Sequence, residues 1–321
     1  MSEPTVIVPA KAETPFRRLV SEFADDKLAV GGAVVLSIIL LVALFAPLIS
    51  PQNPYDLSKL DILDSRMPPG SKSMDGITFW LGTDGQGRDM LSGIFYGLRT
   101  SLAVGVFSGI CAMMLGMAMG LIAAYVGGRT ETLIMRLVDL QLSFPTILIA
   151  LILLAVLGQG VGKIILALII VQWSYYARII RGTALVERRR EYVEAAICLG
   201  LSKPRIIFSH VLPNCMPPMI VIGTVQVAGA IALEATLSFL GIGLPITEPS
   251  LGLLIANGFE YLLSGKYWIS FFPGIALLVT IISINLVGDQ LRDILNPRLQ
   301  DRKSTRLNSS HTDISRMPSS A

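Results

Sequence analysis

Six apolar runs divide the sequence, and each approaches the length that crosses a lipid bilayer as a helix, about 20 residues. The third run is interrupted at Ser143–Pro145, where a proline frees a backbone carbonyl and favours a kink. The fourth run is short, but it extends to Ile180 if Arg178 places its charged end at the membrane surface. The predicted spans are approximately Leu28–Leu48, Leu102–Val126, Leu140–Leu157, Ile164–Tyr176, Met219–Leu240 and Tyr267–Val287.

The segments between these runs are polar and differ in length. In residues 1–27, apolar side chains recur at i, i+3, i+4 and i+7 from Phe16, which predicts a helix lying on the inner membrane surface or a plain juxtamembrane segment. The other predicted connections are a long hydrophilic segment at Ser50–Arg99, a short polar turn at Gly127–Asp139 and a loop at Gly241–Lys266.

A polar island, Glu191–Asn214, separates the fourth and fifth runs with the sequence EYVEAAICLGLSKPRIIFSHVLPN. Glu191–Leu199 is compatible with a helix, and Gly200 suits the left-handed position that ends one. Ser202 can cap a second short helix, which is predicted to end before Pro213. Such a pair is too polar to enter lipid and too short to be stable alone.

The island therefore needs a partner surface, unless it is an ordinary interhelical loop. Ala195, Ala196 and Gly200 are predicted to form a face of small residues that lets another backbone approach closely. Both interpretations remain open on physical grounds.

Charge and composition place the island on the inner side of a membrane. Charged residues make up 15% of the chain and hydrophobic ones 52%, whereas soluble domains carry about 25% charged residues. With six spans and an inner N-terminus, the inner segments hold roughly twice as many Lys and Arg residues as the outer ones, as the positive-inside rule requires. The net charge of +3 does not indicate nucleic acid as a partner.

The sequence carries no recognisable catalytic or cofactor-binding motif. Leu157–Lys163, LGQGVGK, superficially matches a P-loop, but it has Leu157 in place of the first glycine and Ile164 where Ser or Thr must bind magnesium. The three cysteines are irregularly spaced and favour neither a disulfide framework nor a zinc site. If ATP supplies energy, another chain hydrolyses it, and no cofactor or metal is predicted.

The segment Gly82–Asp89, GTDGQGRD, is predicted to be a tight structural turn. Thr83 and Asp84 favour side-chain-to-backbone hydrogen bonds, and the glycines permit a tight backbone. A phosphate cradle would need a preceding strand and GxGxxG order, and calcium would need the alternating acidic residues of an EF-hand. A helix is expected to begin at about Arg88.

Two carboxylates lie at or within the predicted spans. Asp139, at the edge of the third span, is typical of a helix-end or interface residue rather than a transport site. Glu234, inside the fifth, must face the protein interior or a water-filled cavity, so a structural role and a role lining the pathway are equally open. Both would also suit a proton-coupled secondary transporter, although no internal repeat is present. An intramembrane enzyme is less favoured because no nucleophile–base pair or metal ligand set is recognisable.

Several motifs, in the right order, resemble one family of membrane proteins. EAAICLG at Glu194–Gly200, followed by HVLP at His210–Pro213, resembles the EAA motif of permeases from ATP-binding-cassette importers. Five further segments resemble the C-type permease subunit of the dipeptide, oligopeptide and nickel branch. They are GTDGQGRD, YGLRTSL, MRLVDLQLSFP, ATLSFLGIGLP and GDQLRDILNPRLQ. The resemblance covers nearly the whole chain to Gln300. The sequence departs from the family pattern at two positions on the outer side: Gly93 replaces an expected arginine, and Leu251 replaces an expected tryptophan. These departures bear on contacts with a binding protein or substrate.

The resemblance implies an all-α integral membrane fold, the type I ABC importer permease fold, with six transmembrane helices. The island would be a cytoplasmic coupling helix docked in a cleft of an ATPase subunit. The expected partners are a homologous permease subunit, two ATP-binding-cassette ATPase subunits, an extracytoplasmic substrate-binding protein and membrane lipid. Both termini would be cytoplasmic, in the inner membrane, and peptides are the expected cargo.

The resemblance also assigns roles to residues. Glu194 would fix the island through hydrogen bonding or charge pairing, and the small residues would keep the joint close-packed. The implied ATPase-coupling residues are Glu194, Ala195, Ala196, Gly200, Leu212 and Pro213. The implied outer-loop signature is Gly82, Thr83, Asp84, Gly87, Arg88 and Asp89.

The chain divides accordingly into four parts. Residues 1–27 form a cytoplasmic segment, 28–97 the first transmembrane helix with the outer loop, and 98–300 the permease transmembrane domain, with the EAA loop at 191–214. Residues 301–321 change abruptly to Ser, Thr and Arg and are excluded from the predicted fold as a disordered or non-native tail. Deletion of Lys303–Ala321 is expected to leave transport intact.

Overall fold

The computed structural model describes residues 15–295 apart from residues 57, 59, 74 and 75. The tail at 301–321 and the first residues of the N-terminal segment lie outside this described part. Two short antiparallel strands, β1 (Ser71–Lys72) and β2 (Thr78–Phe79), pair in the outer connection. The helices are α1 (Pro15–Ala24), α2 (Lys27–Ile49), α3 (Met90–Val126), α4 (Gly128–Leu142), α5 (Thr146–Leu157), α6 (Val161–Glu187), α7 (Glu191–Cys198), α8 (Lys203–Ile206), α9 (Leu212–Phe239), α10 (Leu251–Phe259) and α11 (Trp268–Leu295).

Among the described residues, five helical segments are long and apolar enough to cross a membrane, and a bent pair makes a sixth if its two helices are counted as one span. The five are α2, α3, α6, the continuous segment Lys203–Phe239 and α11. The sixth is α4 with α5, which are bent by 93° at their junction. The predicted interruption at Ser143–Pro145 is therefore confirmed, because the chain leaves the helix after Leu142 and starts a new one at Thr146.

Two predicted connections are wrong. Gly127–Asp139 is not a turn: α4 begins at Gly128, directly after α3 ends. Its polar residues look like loop residues in the sequence, but Glu131 and Asp139 form ion pairs with arginines of α6. The outer loop at Gly241–Lys266 contains α10, which is too short to be recognised as a span and is stabilised by tertiary packing.

Small residues allow the helices of the bundle to approach closely. A Cβ atom on Gly120 of α3 would lie 1.9 Å from Ile180 Cγ2 and 2.6 Å from the Ala177 carbonyl oxygen, both on α6. On the same helix, a Cβ atom on Gly105 would lie 2.4 Å from Ile231 Cγ1 of α9. The long helix α3 is therefore packed directly on both α6 and α9.

The N-terminal helix predicted from the apolar periodicity is confirmed as α1. Asp26 ends the short connection to α2 by accepting hydrogen bonds from the backbone N–H groups of Leu28 and Ala29, as an N-cap does. Gln290 Nε2 on α11 donates to the Glu22 carbonyl oxygen of α1 at 3.0 Å. The first helix is thereby held against the C-terminal part of α11.

Candidate functional site

The polar island folds as two helices joined by a glycine turn. The first, α7, ends at Gly200, whose φ of 75° is left-handed. The N–H groups of Gly200 and Leu201 donate to the carbonyl oxygens of Ile197 and Ala196, the pattern of a Schellman motif. The predicted glycine stop is confirmed, and it directs the chain straight into α8.

One face of the island is built into the core. Val193 and Ala196 of α7 are buried, and they belong to the same cluster as Ile206, Val211 and Cys215. That cluster continues into side chains of α3 and α6, among them Tyr176 and Ile180. Because buried side chains of these helices interlock, the island is rigidly attached to the membrane helices rather than hanging as a loose loop.

The predicted small-residue face is wrong in one position. Ala195 and Gly200 are exposed, but Ala196 is 4% exposed and packs inward. The reason is helical geometry: Ala196 lies three positions after Val193, which fixes the buried side of α7, whereas Ala195 lies on the other side. Of the remaining coupling candidates, Pro213 is exposed and Leu212 packs partly buried against the same core cluster.

The exposed face of the island carries large apolar side chains that the sequence analysis did not single out. Leu199 is 79% exposed, Phe208 66% and Ile197 57%. The signal was available in the sequence, because these large apolar residues stand in a segment that is too polar to enter lipid. Glu194 lies on the exposed side as well, and within the described part of the chain its carboxylate forms no hydrogen bond or ion pair.

The inner end of α6 is tied to the start of α7. Tyr192 donates a hydrogen bond of 2.6 Å to Glu187 Oε2, and Arg190 Nε lies 3.6 Å from Glu187 Oε1. Burial and the Glu187 carboxylate together raise the pKa of Tyr192 to about 12, so its hydroxyl stays protonated as a donor. Glu187 also lines a cavity of about 530 Å³ between the inner ends of α6, α9 and α11.

The second helix of the island does not end before Pro213, as was predicted. It passes from α8 through a π-helical turn, Ile207–Val211, into α9 without a break. The wider turn shifts the hydrogen-bonding register, with the Leu212 N–H donating to the Ile207 carbonyl oxygen. Asn214 Nδ2 donates to the His210 carbonyl oxygen at 2.6 Å. Pro213 therefore lies within a continuous helical segment, in the first turn of α9, instead of ending it.

The outer-loop signature forms the compact turn that the sequence predicted. Gly82 and Gly87 both have left-handed φ angles, of 81° and 78°. A Cβ atom on Gly87 would lie 2.2 Å from the Asp61 carbonyl oxygen, so the backbone there has no room for a side chain. Thr83 Oγ1 accepts from the Met67 N–H at 2.7 Å and donates to the Asp64 carbonyl oxygen at 2.5 Å.

The charged residues of this signature are buried and structural. Asp84 Oδ1 accepts from the backbone N–H groups of Gln86 and Arg88 at 2.8 and 2.9 Å, and Asp89 caps α3 by accepting from Ser92. Burial raises the pKa values of both carboxyl groups, although these hydrogen bonds oppose the rise. Arg88, 2% exposed, donates from Nη2 to Gln86 and to the Ile246 carbonyl oxygen at 3.0 Å.

The two carboxylates of the spans have separate partners. Asp139 Oδ1 of α4 lies 2.5 Å from Arg178 Nη2 of α6. Glu234 of α9 is fully buried and accepts hydrogen bonds of 2.8 Å from Ser101 and Ser238. Glu234 is thus a buried hydrogen-bond acceptor that joins α9 to α3.

The departures at Gly93 and Leu251 lie in a packed interface rather than on an outer surface. A Cβ atom on Gly93 of α3 would lie 3.5 Å from Leu254 Cδ2 of α10, and Leu251 is fully buried on α10. These positions thus concern the packing of α10 on α3.

Comparison with known proteins agrees with this architecture. Residues 114–301 match the family described as the binding-protein-dependent transport system inner membrane component, and residues 14–69 match the N-terminal TM domain of oligopeptide transport permease C. A chain of the inward-facing MetNI methionine ABC transporter superposes with a TM-score of 0.53 over 64% of this chain and 98% of that one. Its sequence identity is 18%, so this likeness concerns the fold.

Curated relatives match over nearly their whole length. The di/tripeptide transport system permease protein DppC of Pseudomonas aeruginosa is 36% identical over 94% of this chain and 96% of its own. The oligopeptide transport system permease protein OppC of Bacillus subtilis is 36% identical over 87% of this chain and 88% of its own. The fold is that of an ABC importer permease. The chain belongs to the family of binding-protein-dependent transport system inner membrane components, as the motif resemblance predicted.

Proposed function

We propose that this chain is one of two homologous permease subunits of an ATP-driven importer for di- and oligopeptides. The relatives named as di/tripeptide and oligopeptide permeases support the cargo class, since they match over most of both chains. The cargo would cross between this chain and the second permease subunit, after delivery by an extracytoplasmic binding protein.

The observation that carries the energy-coupling part of the proposal is the two-sided character of the island. Its inner face, with Val193 and Ala196, is locked into the core of the bundle, while Ile197, Leu199 and Phe208 are exposed. Exposed apolar side chains on a rigid element are typical of a protein interface. Since the sequence has no P-loop, the partner on this face is an ATP-binding-cassette ATPase subunit, with two such subunits serving the two permeases.

The continuous segment Lys203–Phe239 supplies the mechanical connection. Closure of the ATPase subunits displaces the island, and α8 passes this displacement through the π-helical turn to α9. A continuous helix transmits displacement along its axis because its backbone hydrogen bonds are internal. The excess of Lys and Arg in the segments assigned to the inner side supports a cytoplasmic position of the island and of both termini.

The proposal is tested in proteoliposomes that contain this chain with its candidate partner subunits. ATP inside an orientation-controlled vesicle is expected to drive uptake of a labelled tripeptide that depends on the binding protein. A proton gradient without ATP is expected to drive none. Uptake driven by the proton gradient alone would overturn the proposal and favour a secondary transporter, and ATP-driven uptake of another solute but no peptide would overturn the cargo assignment.

A further inference from the structure

A cavity of about 530 Å³ opens at the end of the bundle that carries the island, between α6, α9 and the last turn of α11. Sites for small ligands occupy about 300–1,000 Å³, so the cavity is large enough to hold several side chains. Val186, Pro217 and Pro218 give it apolar walls, and Glu187 is the one charged residue among the described residues that line it. The cavity therefore favours an occupant that combines apolar side chains with a positive charge.

The cavity also contains acceptor groups that the described residues leave available. Tyr192 donates to Glu187 Oε2, but Oε1 has only Arg190 Nε at 3.6 Å, and the Arg190 side chain is 61% exposed. That separation is too long for a hydrogen bond. In α9, Pro218 has no N–H to donate to the Asn214 carbonyl oxygen one turn earlier. A guanidinium group, with five N–H donors and no acceptor, suits such a site.

The chain itself leads into this cavity. Leu295, the last residue of α11, lines it, and the sequence continues with residues 296–300, Asn-Pro-Arg-Leu-Gln, which lie outside the described part. Pro297 disfavours a helical conformation of the residue before it, so α11 is expected to end here. Arg298 follows Leu295 by three residues, a length of chain that spans at most about 10 Å. Its guanidinium group is therefore within reach of the cavity, and Leu299 adds an apolar side chain.

We propose that residues 296–300 occupy this cavity, with the Arg298 guanidinium group paired to the Glu187 carboxylate and the Leu299 side chain against Val186. The segment then ties the end of α11 to the junction of α6 with α7, where Tyr192 also holds Glu187. A peptide is a poorer occupant, because it brings a carboxylate as well as an ammonium group to a lining whose one charge among the described residues is negative. This attachment belongs to the fold of the chain and does not depend on the proposed function.

The first test measures how fast a maleimide labels Val186→Cys in membranes of the producing cells, where the chain has its own partner subunits. Val186 is 58% exposed to the cavity side when residues 296–300 are left out of account. Cys198, the exposed one of the three cysteines, is replaced by serine to lower the background. A stop codon after Leu295 removes the proposed occupant and is expected to raise the labelling rate severalfold. A stop codon after Arg302 keeps the occupant, and this matched control is expected to label like the full chain.

The same measurement distinguishes the other possible occupants. Slow labelling in both truncated chains would mean that another subunit covers the cavity, and protection that appears only after a tripeptide is added would mean that a peptide fills it. Either result overturns the proposal, as does fast labelling in both, and none of them bears on whether ATP drives uptake. Ile197→Cys, which is exposed on the island and does not line the cavity, is expected to label equally in both truncated chains.

The second test measures the ion pair in full-length chains, so it stays decisive if the chain that stops after Leu295 does not fold. Arg298→Glu brings two carboxylates together and is expected to lower the temperature at which this chain is lost from the soluble, detergent-purified complex by about 2–4 °C. Arg292→Glu, the same charge change at an exposed position of α11, is expected to lower it less. Glu187→Gln, which keeps an acceptor for Tyr192, is expected to recover most of the loss when combined with Arg298→Glu. Additive effects of the changes at positions 187 and 298 would overturn the proposed pairing.

Discussion

The carboxylate of Asp139 and the guanidinium of Arg178 form an ion pair, with Oδ1 and Nη2 2.5 Å apart, that joins α4 to α6. A second pair, Glu131 with Arg181, lies on the same two helices, with a 2.8 Å bond from Arg181 Nε. Gln141 Nε2 adds a hydrogen bond of 2.9 Å to the Val171 carbonyl oxygen. The polar residues of α4 thus hold the first half of a broken span along its neighbour.

Asp139→Asn is expected to leave ATP-driven uptake unchanged. Both side chains of the Asp139–Arg178 pair are more than half exposed, so the pair contributes only about 0–1 kcal/mol to stability. Glu131→Gln, which disrupts the less exposed pair, is expected to lower the thermal unfolding midpoint more. Uptake and the unfolding midpoint of the detergent-purified complex are the measurements. A folded Asp139→Asn complex that no longer transports would show that Asp139 acts in the pathway.

Ala195→Asp is expected to uncouple ATP hydrolysis from uptake while the protein still inserts and assembles. The position is exposed on α7, so a carboxylate there leaves the buried core intact but disturbs a surface that another protein must approach. The matched change, Ala196→Asp, places the same carboxylate in the core beside Val193 and is expected to prevent folding. Membrane abundance separates the two variants, and the ratio of peptide transported to ATP hydrolysed measures coupling. Wild-type coupling in Ala195→Asp would count against α7 as the docking helix.

Leu199→Ser is expected to weaken association with the ATPase subunits. Leu199 is 79% exposed just before the Gly200 turn, and burying a leucine side chain against a partner stabilises a complex by about 1.5–3 kcal/mol. The expected weakening of binding is therefore about tenfold or more. Leu263→Ser is the control, because Leu263 is fully exposed but belongs to the opposite, outer connection between α10 and α11. Co-purification at graded ATPase concentrations measures the difference; equal losses would contradict docking at the island.

The sequence predicted the features that local chemistry determines. Gly200 ends α7 because only a residue without a side chain takes its left-handed conformation readily, and the helix expected from about Arg88 begins at Met90. The apolar runs also predicted the spans, because a helix that crosses lipid needs apolar side chains along its own length, whatever its neighbours are.

The features that the sequence did not predict depend on contacts between distant segments. The position of α10 depends on the close contact between Gly252 and Ala235, and α4 is attached to α6 by ion pairs with arginines 39 and 50 residues further along the chain. The orientation of Ala195 and Ala196 likewise follows from how α7 packs on the core, which composition does not reveal.

Gly120→Ala, at the buried contact of α3 with α6, is expected to destabilise the bundle more than a glycine-to-alanine change at an exposed helix position. The added methyl group would overlap Ile180 Cγ2 and crowd the Ala177 backbone of α6, and backbone atoms cannot move aside as a flexible side chain can. Overpacking of this kind costs about 1–3 kcal/mol. Gly229→Ala is the matched control: it lies in the interior of α9, exposed, with nothing within 4 Å of its added Cβ atom, and is expected to be neutral or slightly stabilising. Thermal unfolding midpoints in detergent measure both, and a second-site Ile180→Ala change is expected to recover part of the loss in Gly120→Ala. Equal midpoints for Gly120→Ala and Gly229→Ala would contradict the direct packing of α3 on α6.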